Sequence, residues 1–510
     1  MIAETSITRR LEATRLLVGG IASRKERASI GQFFTPSPIA DFMASLFDKP
    51  CRHARILDPG CGVGTLFAAL IQQLMQRDPK PDTIEVVAYE TDTTLERCLR
   101  KTIDLCGQAC AERSIEFSGS ILTTDFISSA VEQMQGSLFR SGAPHFTHAI
   151  LNPPYRKING DSHTRRVLSV AGLETSNLYA AFVWLAAGLL APGGEIVAIT
   201  PRSFCNGPYF RHFRKALIDM IALRRIHLFQ SRKDAFKDDS VLQENVILYG
   251  VRDRRQPSSL RISVSEGGDL AEIKSRRVSF NSVVVPGDKD AFIHLVEDDS
   301  GQAAMERMTV FETTLDELDL EVSTGRVVDF RAREFLRDEP EAETVPLLYP
   351  CHLADGSTQW PLSGGKKPNA IAVMDETMGL LVATDCYVLV KRFTSKEEPR
   401  RVVAAVLDPG RFRAQWLGIE NHLNYFHSHG RGVSPNLAKG LALFLNSTLL
   451  DRHFRLFSGH TQVNATDLRK LRYPTRVQLV RMGRHVGDTM PSQEVIDQTL
   501  QRECGIDDQT

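Results

Sequence analysis

The chain has 510 residues, 42% of them hydrophobic and 24% charged, with Lys+Arg and Asp+Glu equal at 62 each. This is the composition of a soluble globular protein with room for roughly two to four domains at ~100–200 residues each; its neutrality carries no global signature of a nucleic-acid partner, although local basic clefts remain open. Nine scattered cysteines without a CxxC pair exclude a zinc ribbon and a disulfide scaffold and point to a reducing compartment.

The opening MIAETSITRRLEATR is polar and lacks the apolar core of a signal peptide. Residues 5–30 are charged and helical in pattern. Gly31-Gln32-Phe33-Phe34-Thr35-Pro36-Ser37-Pro38 is turn-rich, and Ile39–Leu46 is amphipathic. Strands and helices then alternate: Arg55–Asp58 as a buried strand ending in a glycine turn, Thr65–Met75 as a helix, Ile84–Glu90 as a strand, Leu95–Leu105 as a helix. His148–Leu151 is a strand running into Asn152-Pro153-Pro154-Tyr155. Leu178–Leu190 is a helix closed by Pro192-Gly193-Gly194, and Glu195–Thr200 is a further strand. Leu178–Leu190 is the most apolar stretch and is shorter than the ~20 residues a membrane span takes, so no membrane partner is expected. Repeated alternation predicts an α/β fold with a parallel sheet covered on both faces. Gly250–Phe280 still reads as strands, but the helical crossovers have stopped.

Beyond about residue 310 the texture is mixed α+β. Short β-type runs at Thr344–Leu348, Ala370–Val373, Leu380–Val382 and Tyr387–Val390 precede helical patterns at Ser434–Leu445 and Thr466–Leu471. The expected organisation is an N-terminal helical segment (1–30), a catalytic domain (31–285), a second domain (310–475) and a C-terminal tail (476–510), with the boundary near 285–310. Basic clusters lie at Arg9/Arg10/Arg15, Arg211/Arg214/Lys215, Arg224/Arg225, Arg400/Arg401 and Arg469/Lys470/Arg472; each is equally well a solvated face.

Asp58-Pro59-Gly60-Cys61-Gly62-Val63-Gly64 closes a strand and opens a helix, where glycine lets the backbone approach a ligand. A tight turn without a ligand has the same sequence, and the spacing is not the G-x-G-x-x-G of pyrophosphate binders. Glu90, about 30 residues on, ends the next strand, where an acid accepts from ribose hydroxyls. Asp125 could accept from an adenine amino group while Phe126 packs on its ring; equally, the pair is a helix cap and a core aromatic. Asn152-Pro153-Pro154-Tyr155 is the most specific signal. Two prolines fix φ and remove two donors, leaving a rigid, acceptor-rich turn at the carboxyl end of the sheet. The Asn152 side-chain oxygen and the Pro153 carbonyl can each accept one hydrogen of an amino group, pulling its nitrogen toward sp³ character. Tyr155 offers a stacking face.

Together these residues resemble the S-adenosylmethionine-dependent methyltransferases, and more narrowly the amino-group (N6-adenine) DNA methyltransferases of restriction–modification systems, whose cofactor motifs precede NPPY and whose target-recognition domain is C-terminal. The resemblance covers about residues 29–250. It implies a Rossmann-like sheet of seven strands, mostly parallel with one antiparallel strand, with helices on both faces. It also implies that Phe34, Thr35 and Pro36 lie over the methionine part of the cofactor, that Asp58, Gly60 and Gly62 form the cofactor loop, that Glu90 binds ribose, and that Asp125 and Phe126 bind adenine. Asn152, Pro153, Pro154 and Tyr155 match the catalytic turn. Ile199–Phe204 through Tyr209-Phe210 is similar to the later motif that stacks an aromatic on the target base, with Phe210 chosen and Tyr209 as the fallback. Gly459–Leu468 is similar to the closing segment of such recognition domains. The implied setting is the cytoplasm of a bacterial or archaeal cell.

NPPY also occurs in enzymes that methylate a glutamine amide or an RNA guanine, so an RNA or protein N-methyltransferase is an alternative. The roughly 200 residues outside the catalytic pattern favour double-stranded DNA, because reading a duplex needs a groove-facing surface. Within the family, Asn at the first position of the turn leans to adenine over cytosine. A base inside the duplex must be flipped out to react. No metal is expected. A cognate restriction endonuclease would act separately; a bifunctional enzyme is the other option, with Asp385 and Lys391 the weak nuclease candidates. A non-catalytic DNA-binding subunit is disfavoured by intact Asn152, Tyr155 and Asp58. Sequence choice is expected within residues 310–475, through Arg326, Arg331, Arg400, Arg401, Asn421, His422, Asn424, Arg431, His460, Gln462 and Asn464.

Overall fold

The apolar runs of the first half become neighbouring strands because consecutive residues send alternate side chains to opposite faces, and both faces are covered. The computed structural model describes residues 6–21, 34–137, 145–229, 245–265, 270, 272–295, 299–394, 398–457, 462–487 and 489–506. The chain divides into two units, Met1–Glu297 and Asp298–Thr510.

Unit 1 carries β1 (His53–Pro59), β2 (Thr83–Tyr89), β3 (Glu116–Leu122), β4 (Phe146–Leu151), β5 (Leu190–Pro201), β6 (Ile221–Phe229), β7 (Asn245–Arg252), β8 (Ser259–Ser265) and β9 (Ile273–Ser279) in one sheet ordered β3-β2-β1-β4-β5-β7-β6-β8-β9. Strands β3, β2, β1, β4 and β5 are parallel, and β7 runs antiparallel to both β5 and β6. These seven have the topology that the sequence implied. Strands β8 and β9 extend the sheet to nine, β8 parallel to β6 and β9 antiparallel to β8. Their hairpin-like pairing explains why strand signals persist there without helical crossovers.

The helices of unit 1 are α1 (Ile7–Ile21), α2 (Ser37–Ser45), α3 (Thr65–Met75), α4 (Glu96–Glu112), α5 (Phe126–Ser137), α6 (His163–Val170), α7 (Leu178–Leu189) and α8 (Arg211–Met220). One face of the sheet buries Leu57, Val87, Ala149 and Leu151 against Phe126 of α5 and Phe182 of α7. The other buries Ile56, Val86 and Ile150 against Met43 of α2, Leu70 of α3 and Leu99 of α4. Helix α1 is tied to this unit through Glu12, which accepts from Ser37 Oγ at 2.7 Å and Ser37 N at 3.1 Å. Strand β3 left no sequence signal because it lies at the sheet edge with mostly exposed side chains, Leu122 and Ile121 among the half-buried ones.

Unit 2 is built on a six-stranded sheet that includes Glu321–Thr324, Leu423–His427, Tyr387–Lys391 and Ala404–Leu407, and a five-stranded sheet that includes Ala370–Ala372, Thr344–Leu348 and Trp416–Ile419. Its helical layer corrects the expected C-terminal tail. Arg476–Arg484 and Gln493–Cys504 are helices whose Leu479, Met482, Ile496 and Leu500 join the core of this unit. The helix Pro435–Leu445 touches Arg476–Arg484 backbone to backbone: a Cβ on Gly440 would lie 1.8 Å from the Leu479 carbonyl oxygen. Polar flanks around a few apolar residues read as a tail, whereas the close approach that glycine permits makes them core. The unit also begins earlier than residue 310, since Met308 of the helix Asp299–Met308 is buried in the same core.

Candidate active site

The strands β1, β2 and β4 end side by side, and the turns that follow them enclose a cavity of about 400 Å³, within the ~300–1,000 Å³ range of small-molecule sites. Phe34, Thr35, Gly60, Gly62, Glu90, Asp125, Phe126, Asn152 and Pro154 all line it. Pro36, Asp58, Pro153 and Tyr155 are not among the described residues that line it, and Gly31, Gln32 and Phe33 lie outside the described residues.

The glycine turn is shaped by β2. Gly60 N and Cys61 N donate to the Tyr89 carbonyl at 2.8 and 3.0 Å, and Gly62 N donates to Glu90 Oε2 at 2.9 Å. Gly62 has φ +58°, and a Cβ there would meet the Phe34 ring at 3.0 Å, so the close packing of Phe34 over the turn requires glycine. Glu90 Oε1 accepts from Asp92 N at 2.9 Å. Burial raises the Glu90 carboxyl above its ordinary range, against the lowering effect of these amide donors. Asp58 sits beneath the turn, fully buried; Oδ2 accepts from Phe67 N at 3.3 Å while Oδ1 has no hydrogen-bond partner among the described residues. Burial, then the neighbouring Glu90 charge, raises the Asp58 carboxyl well above its usual value.

Asp125 and Phe126 are a helix cap and a core aromatic, and both also line the cavity. Asp125 Oδ2 caps α5, accepting from Ser128 N at 2.8 Å and Ser128 Oγ at 2.7 Å, and the residue also lines the cavity. Phe126 is a core aromatic, 5.1 Å from both Tyr89 and Phe182, and lines the same wall. Glu90, Asp92 and Asp125 give the cavity an acceptor-rich, acidic lining, with Arg156 the single Lys or Arg among the described residues that line it. A ligand bearing hydroxyl, amino or cationic groups fits this lining; a pyrophosphate would meet carboxylates.

Asn152 is buried at the end of β4, and its Nδ2 donates to Thr35 Oγ1 at 3.1 Å. This bond joins residues 117 apart in sequence and fixes the amide plane. The segment after the turn is held by Ile158 N to Ser176 O at 2.8 Å and Leu178 N to Arg156 O at 2.9 Å. Tyr155 is half-buried and its hydroxyl donates to the Ile199 carbonyl at 3.4 Å. Burial drives its phenol well above the ordinary value, so the group stays protonated and is a ring and a donor, not a base.

Phe210 is the correction among the site residues. The structure does not bring it to the cavity: it is 6% exposed and its ring packs on Tyr179, centroids 5.5 Å apart at 31°. Tyr179 in turn meets Tyr155 edge-on at 6.2 Å. The apolar neighbourhood of Phe213 and Leu217 on α8 draws Phe210 inward, while the adjacent Tyr209 is 79% exposed. Phe210→Ala is therefore expected to cost about 3–5 kcal/mol of stability, as for a buried aromatic, whereas Tyr209→Ala stays within about 0.5 kcal/mol. Urea unfolding checks this; a Phe210→Ala protein as stable as wild type contradicts the packing role.

Sequence reasoning missed Phe182, which reads only as part of an apolar helix yet lines the cavity and contacts Phe126. It also missed Asp92, two residues after Glu90, and Arg156, directly after Tyr155; that proximity was the available signal.

Residues 17–248 match the N-6 DNA methylase family. The chain is 42% identical over 479 residues to the type II methyltransferase M.PstI of Providencia stuartii, spanning 93% of this chain and 94% of that protein. It is 43% identical over 485 residues to the type II methyltransferase M.BsuBI of Bacillus subtilis, spanning 94% of each. Among solved structures, that of the DrdV–DNA complex is similar in fold, with a TM-score of 0.50 and 13% identity over 94% of this chain and 59% of that one. Identity above 40% along nearly the whole length, joined to a cavity and turn of this construction, establishes that the chain belongs to the type II DNA methyltransferases of restriction–modification systems, in the N-6 DNA methylase family.

Proposed function

We propose that this methyltransferase transfers a methyl group from S-adenosylmethionine to N6 of adenine in double-stranded DNA, on a base turned out of the duplex, with unit 2 selecting the site and a cognate restriction endonuclease acting as a separate protein. One observation carries the reading: Asn152 lines the same cavity as Glu90, Asp125 and Thr35, so an amine-binding amide and a nucleoside-binding lining meet in one cavity.

The cavity suits the cofactor. The partnerless Asp58 Oδ1 lies beneath the turn that Phe34 covers, Glu90 offers carboxylate oxygens for ribose hydroxyls, and Phe126 offers an apolar wall with Asp125 beside it for an adenine amino group. When bound, S-adenosylmethionine supplies a methyl group made electrophilic by its sulfonium. The chain does the rest. The Asn152 oxygen and the Pro153 carbonyl accept the two hydrogens of the target amine and aim its lone pair. No strong base is needed, because the amine proton becomes acidic once the nitrogen is alkylated. Unstacking the base costs a few kcal/mol, and stacking on an aromatic returns about 1–3 kcal/mol. Tyr155, which directly follows Asn152-Pro153-Pro154, supplies that face, with Tyr179 against its ring and Phe210 against Tyr179.

The choice of adenine rests on Asn152 as the first residue of the turn and on the family. Digestion of methylated duplex DNA to nucleosides, followed by mass spectrometry, is expected to give N6-methyladenine; N4-methylcytosine as the main product overturns the assignment.

A further inference from the structure

The polar residues of unit 2 divide into those that hold the fold and those left facing solvent. Asn424 donates to the Val463 carbonyl at 2.7 Å and accepts from Thr324 at 3.0 Å. Asn464 caps a helix through Asp467, Arg400 binds the Asn446 carbonyl, and Arg401 is fully buried. His460 lies outside the described residues. His422 differs from all of these. Its side chain is 46% exposed, yet its Nδ1 is 2.6 Å from Glu420 Oε1, and its backbone N donates to Glu420 Oε2 at 2.8 Å. Glu420 itself is fully buried. Burying a carboxylate is costly unless it is hydrogen-bonded, and here both oxygens are engaged by one exposed histidine.

The turn that carries His422 is fixed from both sides. Asn421 N donates to the Val327 carbonyl at 2.8 Å, Arg392 N to the His422 carbonyl at 2.9 Å, and Arg392 Nη1 to the Asn421 carbonyl at 3.1 Å. The Phe393 ring lies 4.7 Å from the imidazole. The ring is thus held in one orientation with Nε2 as its remaining polar atom. An imidazole paired with a carboxylate adds little net positive charge, so it is a poor phosphate anchor, unlike the exposed Arg331 and Arg431. A fixed single polar atom suits reading of a base edge in the major groove.

We propose that His422 determines specificity at one base pair of the DNA site, with Glu420 as its positioning residue. This rests on the reading that unit 2 selects the site. The test uses the full-length enzyme on a plasmid library holding its site and every single-base variant of it, with methylation read by sequencing. His422→Ala and His422→Gln are expected to relax selectivity about tenfold at one position and leave the others, and kcat on the preferred site, nearly unchanged. Glu420→Ala should relax the same position, and Glu420→Gln should restore most of the selectivity; a merely structural Glu420 would lower stability without touching that position. The His422 variants carry the test if Glu420→Ala does not fold. An unchanged profile, or equal weakening at every sequence, overturns the proposal. Arg326→Ala and Asn421→Ala separate the two ways of failing. If either relaxes a position while His422 variants are silent, His422 falls and unit 2 remains the selector; if all are silent, the reading of unit 2 falls as well.

Discussion

Asn152→Ala is expected to reduce methyl transfer to background, a loss of at least ~10²–10³-fold of the kind seen when one preorganised polar group at a reacting centre is removed. Binding of S-adenosylhomocysteine, measured calorimetrically, should stay within a few-fold of wild type. The separation follows from position. Asn152 stands at the rim of the cavity, buried, with its Nδ2 committed to Thr35, whereas the turn that would hold the cofactor is braced by Glu90 and Tyr89. Truncation removes an acceptor for the target amine and leaves that bracing intact. A variant keeping more than a few per cent of activity contradicts the catalytic role; a variant that also loses cofactor binding places Asn152 in the wrong site.

Glu90→Ala acts at the glycine turn. Its two carboxylate oxygens already accept from Gly62 N and Asp92 N, so the residue supports the glycine turn as well as offering acceptors to a ribose. Hydrogen bonds to a charged group are worth about 1.5–3 kcal/mol each, and the affinity for S-adenosylmethionine should fall roughly tenfold to a hundredfold. Glu90→Gln, which keeps one acceptor, should lie between. Burial raises the Glu90 carboxyl, and the acceptor role needs the ionised form. Affinity should therefore begin to decline on acidification at a higher pH than for an ordinary glutamate, and this decline should vanish in Glu90→Gln. An unchanged dissociation constant in Glu90→Ala moves the cofactor elsewhere.

The sequence by itself determined the glycine turn after β1, the Asn152–Tyr155 turn after β4 and the alternation of β1, β2, β4 and β5 with the helices α3, α4 and α7. Each is local: glycines with positive φ, two prolines after an apolar strand, and a period that switches between 2 and 3.6 are written in contiguous residues. The tertiary structure alone decided which of these groups meet. Glu90 braces Gly62 because β2 lies beside β1 in the sheet, and Thr35 anchors Asn152 across 117 residues of sequence. Phe210 has the right residue type for a stacking ring, yet the fold buries it against Tyr179 in the apolar cluster that includes Phe213 and Leu217 of α8. Arg401 and Asn424 look as suited to DNA as His422, and the fold engages Asn424 in its own hydrogen bonds and buries Arg401. A residue's chemistry is carried by its side chain, but whether that side chain remains available depends on which partners the folded chain has already given it.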